Sequence, residues 1–110
     1  MTNAYRRVVG DTGPPIEDTL MSDETPDDIT GADVSIHITK PDGETITADA
    51  TGGVDIVDPD GGQVNYDFQS GDLDQQGRYL YEWEVTFANG ETQSYPSESE
   101  RAIWVRDELA

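Results

Sequence analysis

Hydrophobic and polar residues alternate one by one over several short segments of the chain. The clearest segments are 34–38, 64–68 and the longer run "RYLYEWEVTF" at 78–87. Successive side chains of a β-strand point to opposite faces, so a period of two predicts strands with one buried and one solvated face. No segment keeps a helical period. The pattern therefore predicts an all-β protein.

Weaker strand signals complete this pattern at 5–9, 16–21, 44–48 and 91–95, and a last strand contains Ile103 and Val105. Turn-forming sequences such as "KPDGE", "DPDGG" and "ANGE" separate them, because Pro, Asp, Asn and Gly favour the backbone angles of tight turns. Seven to nine short strands joined in this way predict an immunoglobulin-like antiparallel β-sandwich. The stretch "SDETPDDITG" is predicted to be a loop between early strands.

The domain organisation follows from length. With 110 residues the chain has the size of one domain. We expect a single sandwich over residues 13–110. Residues 1–12 are predicted to be either an N-terminal arm or the first edge strand.

The aromatic residues of the longest strand share one face. Tyr79, Tyr81 and Trp83 point away from the face that carries Glu82 and Glu84, which also contains Leu80, so this stripe is predicted to lie in the core. The alternative is an exposed platform for carbohydrate. Trp104 differs, because it is out of phase with Ile103 and Val105, and it is therefore a candidate for an exposed contact residue.

The triplet Pro-Asp-Gly occurs twice, at 41–43 and at 59–61. Each copy lies between two predicted strands and fits a turn in which Gly43 or Gly61 takes a positive φ. The second copy also offers a calcium alternative, in which Asp55, Asp58 and Asp60 gather one ion. A calcium loop of the helix–loop–helix kind requires more ligands in fixed order and a distal Glu, which the sequence lacks. We therefore predict plain turns and no bound metal.

The charge is strongly acidic, with 24 Asp and Glu residues against 6 Lys and Arg and a net charge of −18. This balance argues against binding of nucleic acid through a basic patch. The composition is rich in Asp and has a single Lys, which favours a protein that works in molar salt, where counterions screen self-repulsion. The alternative is an ordinary acidic domain.

No chemistry typical of an enzyme or a cofactor site is found. The chain has no cysteine, its one histidine is His37 on the polar side of a strand, and no serine stands in a glycine elbow. We expect a non-enzymatic protein without cofactors. No apolar run has the length of a membrane span or the character of a signal peptide, so we expect no membrane partner and synthesis in the cytoplasm.

Four of the six basic residues lie near the chain ends, where the first and last strands of an immunoglobulin-like sandwich run close together. They would form one basic border on an acidic body, suited to an acidic neighbour. The alternative is a chance distribution of surface charges. The candidate partner-contact residues are Tyr5, Arg6, Arg7, Arg101, Trp104 and Arg106.

The order of short motifs resembles a known family. "GDTGPPIEDTL", "DITGADVSIHITKPDG", "VDPDGGQVNYDF" and "GDLDQQGRYLYEWEVTFANGETQSYPS" follow one another as in the immunoglobulin-like N-terminal domain of phage baseplate upper proteins. The resemblance covers residues 8–106. Gly77-Arg78-Tyr79 also resembles the start of a tyrosine corner, with Gln75 where antibody-like domains prefer Asp.

This resemblance implies a virion structural or adaptor protein of a tailed virus, in the tail, baseplate, neck or capsid. Together with the composition, it implies a virus of a halophilic archaeon and assembly in the host cytoplasm. The implied partners are other virion proteins and copies of the chain itself. The rival functions are a host-surface adhesion module, assisted by an ion, and a small hydrolase or enzyme accessory centred on His37.

Overall fold

The structure is a computed structural model that describes residues 5–95 and 101–107. These residues form eleven strands, and none of them forms a helix that could cross a membrane. The strands are β1 (Tyr5–Val8), β2 (Ile16–Thr19), β3 (Met21–Ser22), β4 (Thr25–Pro26), β5 (Asp33–Thr39), β6 (Thr45–Ala48), β7 (Val54–Asp58), β8 (Gln63–Tyr66), β9 (Gly77–Thr86), β10 (Thr92–Tyr95) and β11 (Arg101–Arg106).

Two sheets make up the fold. The first sheet has the order β1-β11-β9-β5-β6, and β10 pairs with β9 beyond the end of β11. The second sheet has the order β2-β8-β7. All of these pairs are antiparallel except that of β1 with β11, which is parallel. The predicted all-β, immunoglobulin-like sandwich is confirmed.

The strand number is higher than the seven to nine predicted. The additional pair is the short ladder of β3 with β4, which lies in the stretch predicted to be a loop. Its turn consists of Asp23 and Glu24, with φ of 51° and 66°. Left-handed backbone at both central positions is typical of a two-residue hairpin, but such turns usually contain Asn or Gly. The sequence therefore carried no signal for this hairpin.

The core lies between the facing sides of the two sheets. From β9 it receives Tyr79, Tyr81 and Trp83, all almost completely buried, which confirms the predicted orientation of the aromatic stripe. The second sheet contributes Ile16 and Tyr66. Full burial of large aromatic side chains supplies much of the hydrophobic stabilisation in a domain of this size.

The first residues that the structure describes, Tyr5–Val8, form an edge strand. Tyr5 to Val8 pair with Ile103 to Arg106, so of the two alternatives for this segment the structure has the strand and not a loose arm. A parallel partner at the sheet edge satisfies the backbone groups of β11 that β9 leaves free. Residues 1–4 lie outside the described residues.

The two Pro-Asp-Gly triplets are both turns, but they differ in register. In the first, Gly43 has φ 93° and its amide donates to the Lys40 carbonyl at 2.9 Å, as predicted. In the second, Gly62 and not Gly61 takes the positive φ, at 67°. The prediction for Gly61 was therefore wrong. A Cβ at Gly62 would also lie 2.7 Å from the Asp27 carbonyl oxygen.

The loop before β9 is fixed by a tyrosine and a lysine. The Tyr79 hydroxyl donates to the Gln75 carbonyl at 3.1 Å and accepts from the Gln75 amide at 3.0 Å, which is the tie expected of a tyrosine corner. The buried Lys40 donates to Asp74 at 3.0 Å, and this hydrogen bond raises the pKa of its ammonium group. The tyrosine contact ties the loop to β9, and the lysine contact ties the loop to the β5–β6 hairpin.

Candidate docking surface

The outer face of the first sheet carries a row of cationic and aromatic side chains. Arg6 on β1 is the register partner of Trp104 on β11, and Trp104 is the register partner of Arg78 on β9. Strands in a sheet lie about 4.8 Å apart, so these three residues are direct neighbours on one face. Arg106 follows two positions after Trp104 and shares that face. We call Arg6, Arg78, Trp104 and Arg106 the arginine–tryptophan patch.

The tryptophan of this patch is open to solvent and has a cation beside it. Trp104 is 46% exposed, and the Arg78 guanidinium carbon lies 5.8 Å from its ring centroid, within cation–π range. Within the described part of the chain, no carboxylate forms a salt bridge with Arg6, Arg78 or Arg106. Positive charge and aromatic surface are thus presented outward on a protein of net charge −18.

A groove of about 420 Å³ continues the patch around the free edge of β1. The side chains that line it include Arg6, Arg7, Trp104 and Arg106, together with Asp11 and Pro14. Its mixed lining of guanidinium groups, indole and backbone is suited to a protein surface and offers no nucleophile or proton-transfer pair.

Arg7 lines the groove but does not belong to the arginine–tryptophan patch. Its backbone position alternates with Arg6, and its side chain turns inward, where the guanidinium carbon lies 5.7 Å from the Phe68 ring centroid. Its Nη2 donates to the Pro14 carbonyl at 2.8 Å. Arg7 therefore ties the β1 edge to the Pro14 segment and covers Phe68, and it is half-buried; its assignment as a partner contact stays a prediction.

Arg101 is likewise directed inward. It is in phase with the core residues Ile103 and Val105, and its Nη1 forms a salt bridge with Asp18 Oδ1. This pair joins β11 of the first sheet to β2 of the second. The predicted contribution of Arg101 to a basic border is therefore wrong, because its charge is used between the sheets.

Asp18 is the centre of a buried polar cluster. Its side chain is 7% exposed, and its Oδ2 accepts hydrogen bonds from Trp83 Nε1 at 2.8 Å and from the Tyr81 hydroxyl at 3.1 Å. Burial raises the pKa of the Asp18 carboxyl above its usual range, and these hydrogen bonds and the charge of Arg101 oppose that shift. Arg101 Nε is buried without an acceptor among the described residues. The cluster joins the two sheets and supports the fold.

Tyr5 pairs through its backbone with Ile103, and its side chain lies outside the described part of the structure. Of the six predicted contact residues, the structure thus brings three together on one outer face: Arg6, Trp104 and Arg106. The sequence reading missed Arg78. The sequence analysis grouped the arginines that lie near the chain ends, and Arg78 lies far from both ends. The pairing of β9 with β11 is what makes Arg78 a neighbour of Trp104.

His37 and the aspartates of the calcium alternative show only local contacts. His37 Nε2 lies 3.5 Å from Glu84 Oε1, and its Nδ1 lies 3.2 Å from the Thr47 hydroxyl, on an open sheet face. The Asp58 carboxylate accepts a hydrogen bond from the Gly61 amide at 3.3 Å, within its own turn. The described residues contain no group of three or more His, Asp or Glu side chains arranged to hold a metal ion.

Comparisons with known proteins bear on the fold alone. No protein-family model and no curated protein matches the chain. Among solved structures, the chain is similar to the crystal structure of CopC from Methylosinus trichosporium OB3b, with a TM-score of 0.53 and 12% identity. The match covers 98% of this chain and 89% of that one, so the β-sandwich likeness extends over nearly the whole chain.

Proposed function

We propose that the protein is a non-enzymatic structural or adaptor subunit of a virus particle, and that it docks onto a neighbouring subunit through the arginine–tryptophan patch. The observation that carries the proposal is the outward row of Arg6, Trp104 and Arg78 on a domain of net charge −18. Exposed Trp and Arg are the residues most enriched among those that dominate protein interfaces. Cations that have no carboxylate partner among the described residues favour an acidic neighbour.

The resemblance to immunoglobulin-like domains of baseplate upper proteins supports the choice of a particle of a tailed virus. The acidic, Lys-poor composition supports a host that lives in molar salt. The rival adhesion module requires a concave cluster of exposed aromatic residues. Among the described residues, Trp104 is the one aromatic side chain with large exposure, which favours docking onto a protein over binding of carbohydrate.

The test compares particles made with wild-type protein, with Trp104→Ala and with Val57→Ala. Val57 is also an exposed apolar residue, but it lies on the second sheet, so Val57→Ala is the matched control. Quantitative mass spectrometry of purified particles should find the wild-type chain in fixed stoichiometry. Loss of a central interface Trp costs at least about 2 kcal/mol, so incorporation of Trp104→Ala should fall more than about tenfold, while Val57→Ala incorporates normally. Absence of the wild-type chain from particles would refute the proposal.

A further inference from the structure

The outer face of the first sheet is balanced in charge although the molecule is not. The outward positions of its strands carry three arginines, three carboxylates and one histidine, His37. The charged residues of this face are Arg6, Arg78 and Arg106, and Asp33, Glu82 and Glu84. The outward positions of the second sheet include Glu17 and Asp55 and no basic residue. Two copies can therefore approach through the first sheet without facing like charges.

The balanced charges are also separated along the strands. Arg78 lies at the start of β9 beside Arg6 and Trp104, whereas Glu82 and Glu84 follow toward its end. Arg78 and Glu84 are six residues apart, or about 20 Å along the strand. The uncharged side chains of Leu80, Ala102 and Thr39 lie between the two ends. The face thus has a basic end and an acidic end.

We propose that a second copy of this chain is the partner of this face, in a two-fold pair with antiparallel strands. A two-fold axis in the plane of the interface and perpendicular to β9 places the basic end of one copy over the acidic end of the other. Arg78 then faces Glu82 and Glu84 of the partner subunit, and the same contact is repeated by symmetry. This inference rests on the proposed docking role of the arginine–tryptophan patch and names its occupant.

The size of the face is sufficient for such a pair. Five strands and ten residues of β9 span about 20 by 30 Å, which would bury about 600 Å² on each copy, the lower end for a specific interface. Trp104 supplies an exposed aromatic anchor at the basic end. The remaining surface carries the excess negative charge, so low salt opposes association and molar salt permits it.

The test uses charge reversal at each end. One variant carries Arg6→Glu and Arg78→Glu, and the other carries Glu82→Arg and Glu84→Arg. Each variant alone places like charges over each other, so its self-association, measured by sedimentation velocity in about 1 M potassium chloride, should weaken at least about tenfold relative to wild type. An equimolar mixture should form a heterodimer with wild-type affinity, because both symmetry-related contacts regain opposite charges.

The control replaces the acidic-end variant with Glu17→Arg and Asp55→Arg, which has the same net charge but changes the second sheet. Mixed with the basic-end variant it should form no heterodimer, because its acidic end then faces introduced carboxylates; it should instead pair with itself as wild type does, because its first sheet is unchanged. A monomeric wild-type chain, or a mixture that does not associate, would overturn the two-fold pair. Incorporation into particles tests the proposed function separately. If the wild-type chain is monomeric in solution but Trp104→Ala prevents its incorporation into particles, the patch docks onto another protein.

Discussion

The buried cluster around Asp18 gives the sharpest prediction on stability. Asp18→Ala removes the carboxylate that receives Arg101, Trp83 Nε1 and the Tyr81 hydroxyl. Breaking one side of a buried ion pair costs about 3–5 kcal/mol, because it leaves an uncompensated charge. A domain of this size is stable by about 5–15 kcal/mol, so the variant should lose about a fifth or more of its stability. Its melting temperature should fall by about 15 °C or more.

A set of variants separates the ion pair from ordinary packing. Urea unfolding in constant molar potassium chloride, followed by the fluorescence of Trp83, should give a lower midpoint for Asp18→Ala and for Arg101→Met. The double variant Asp18→Leu with Arg101→Met should recover part of the loss, because no unpaired charge then stays between the sheets, while Trp83 Nε1 and the Tyr81 hydroxyl still lack their acceptor. Asp55→Ala on the solvated face is the control and should change stability by less than about 0.5 kcal/mol. The reasoning is refuted if Asp18→Ala costs less than about 1 kcal/mol, or if the double variant is as unstable as the sum of the single ones.

Four further outcomes are expected. Gly62→Ala should destabilise the domain, because it combines a positive φ with a Cβ 2.7 Å from a carbonyl oxygen, whereas Gly61→Ala should have a mild effect. Equal urea-unfolding midpoints for the two variants would contradict the register of this turn. Stability should rise from about 10 mM to about 1 M salt as the Debye length falls from about 30 to about 3 Å, and a flat curve would refute the salt-adapted interpretation. Deleting residues 1–9 should cost about 2 kcal/mol or more, since it removes β1 and the inward contacts of Arg7 from the edge of the sheet; unchanged stability would show that β1 is dispensable. The pKa of Asp18 is raised on folding, so the stability of wild type relative to Asp18→Asn should be highest below pH 3.8 and should decline as pH rises through the folded pKa. The measurement is the free energy of unfolding of both proteins as a function of pH. If the difference between them does not decline, the burial of this carboxyl is contradicted.

The alternation of apolar and polar residues predicted the strands well, because one face of each sheet is buried and the other is solvated. In β9 every second residue from Tyr79 to Val85 is buried, and the prediction of its faces was correct. The β3–β4 hairpin has only two residues in each strand, which is too few for an alternating pattern to be detected, and its turn contains neither Gly nor Asn. The second Pro-Asp-Gly turn was misplaced by one residue because two adjacent glycines are equally able to take a positive φ.

The positions of the charged side chains could not be predicted from the alternation of apolar and polar residues alone. Arg101 and Asp18 both occupy the apolar phase of their strands, in step with Ile103 and with Ile16, and this phase signals a buried pair. The sequence reading counted arginines near the chain ends and did not use phase, so it placed Arg101 on the surface. Arg78 became a neighbour of Trp104 only through the register of β9 with β11, and long-range register is not encoded in either strand alone.

The central claim is that this domain is a particle subunit that docks through the arginine–tryptophan patch, and hydroxyl-radical footprinting tests it most directly. Trp104 and Met21 are 46% and 45% exposed, and both side chains are readily oxidised. In the free protein at low concentration both should be modified. In purified particles Trp104 should be protected while Met21, at the β3–β4 hairpin, stays reactive. Equal modification of the two residues in particles, or absence of the chain from them, would contradict the account.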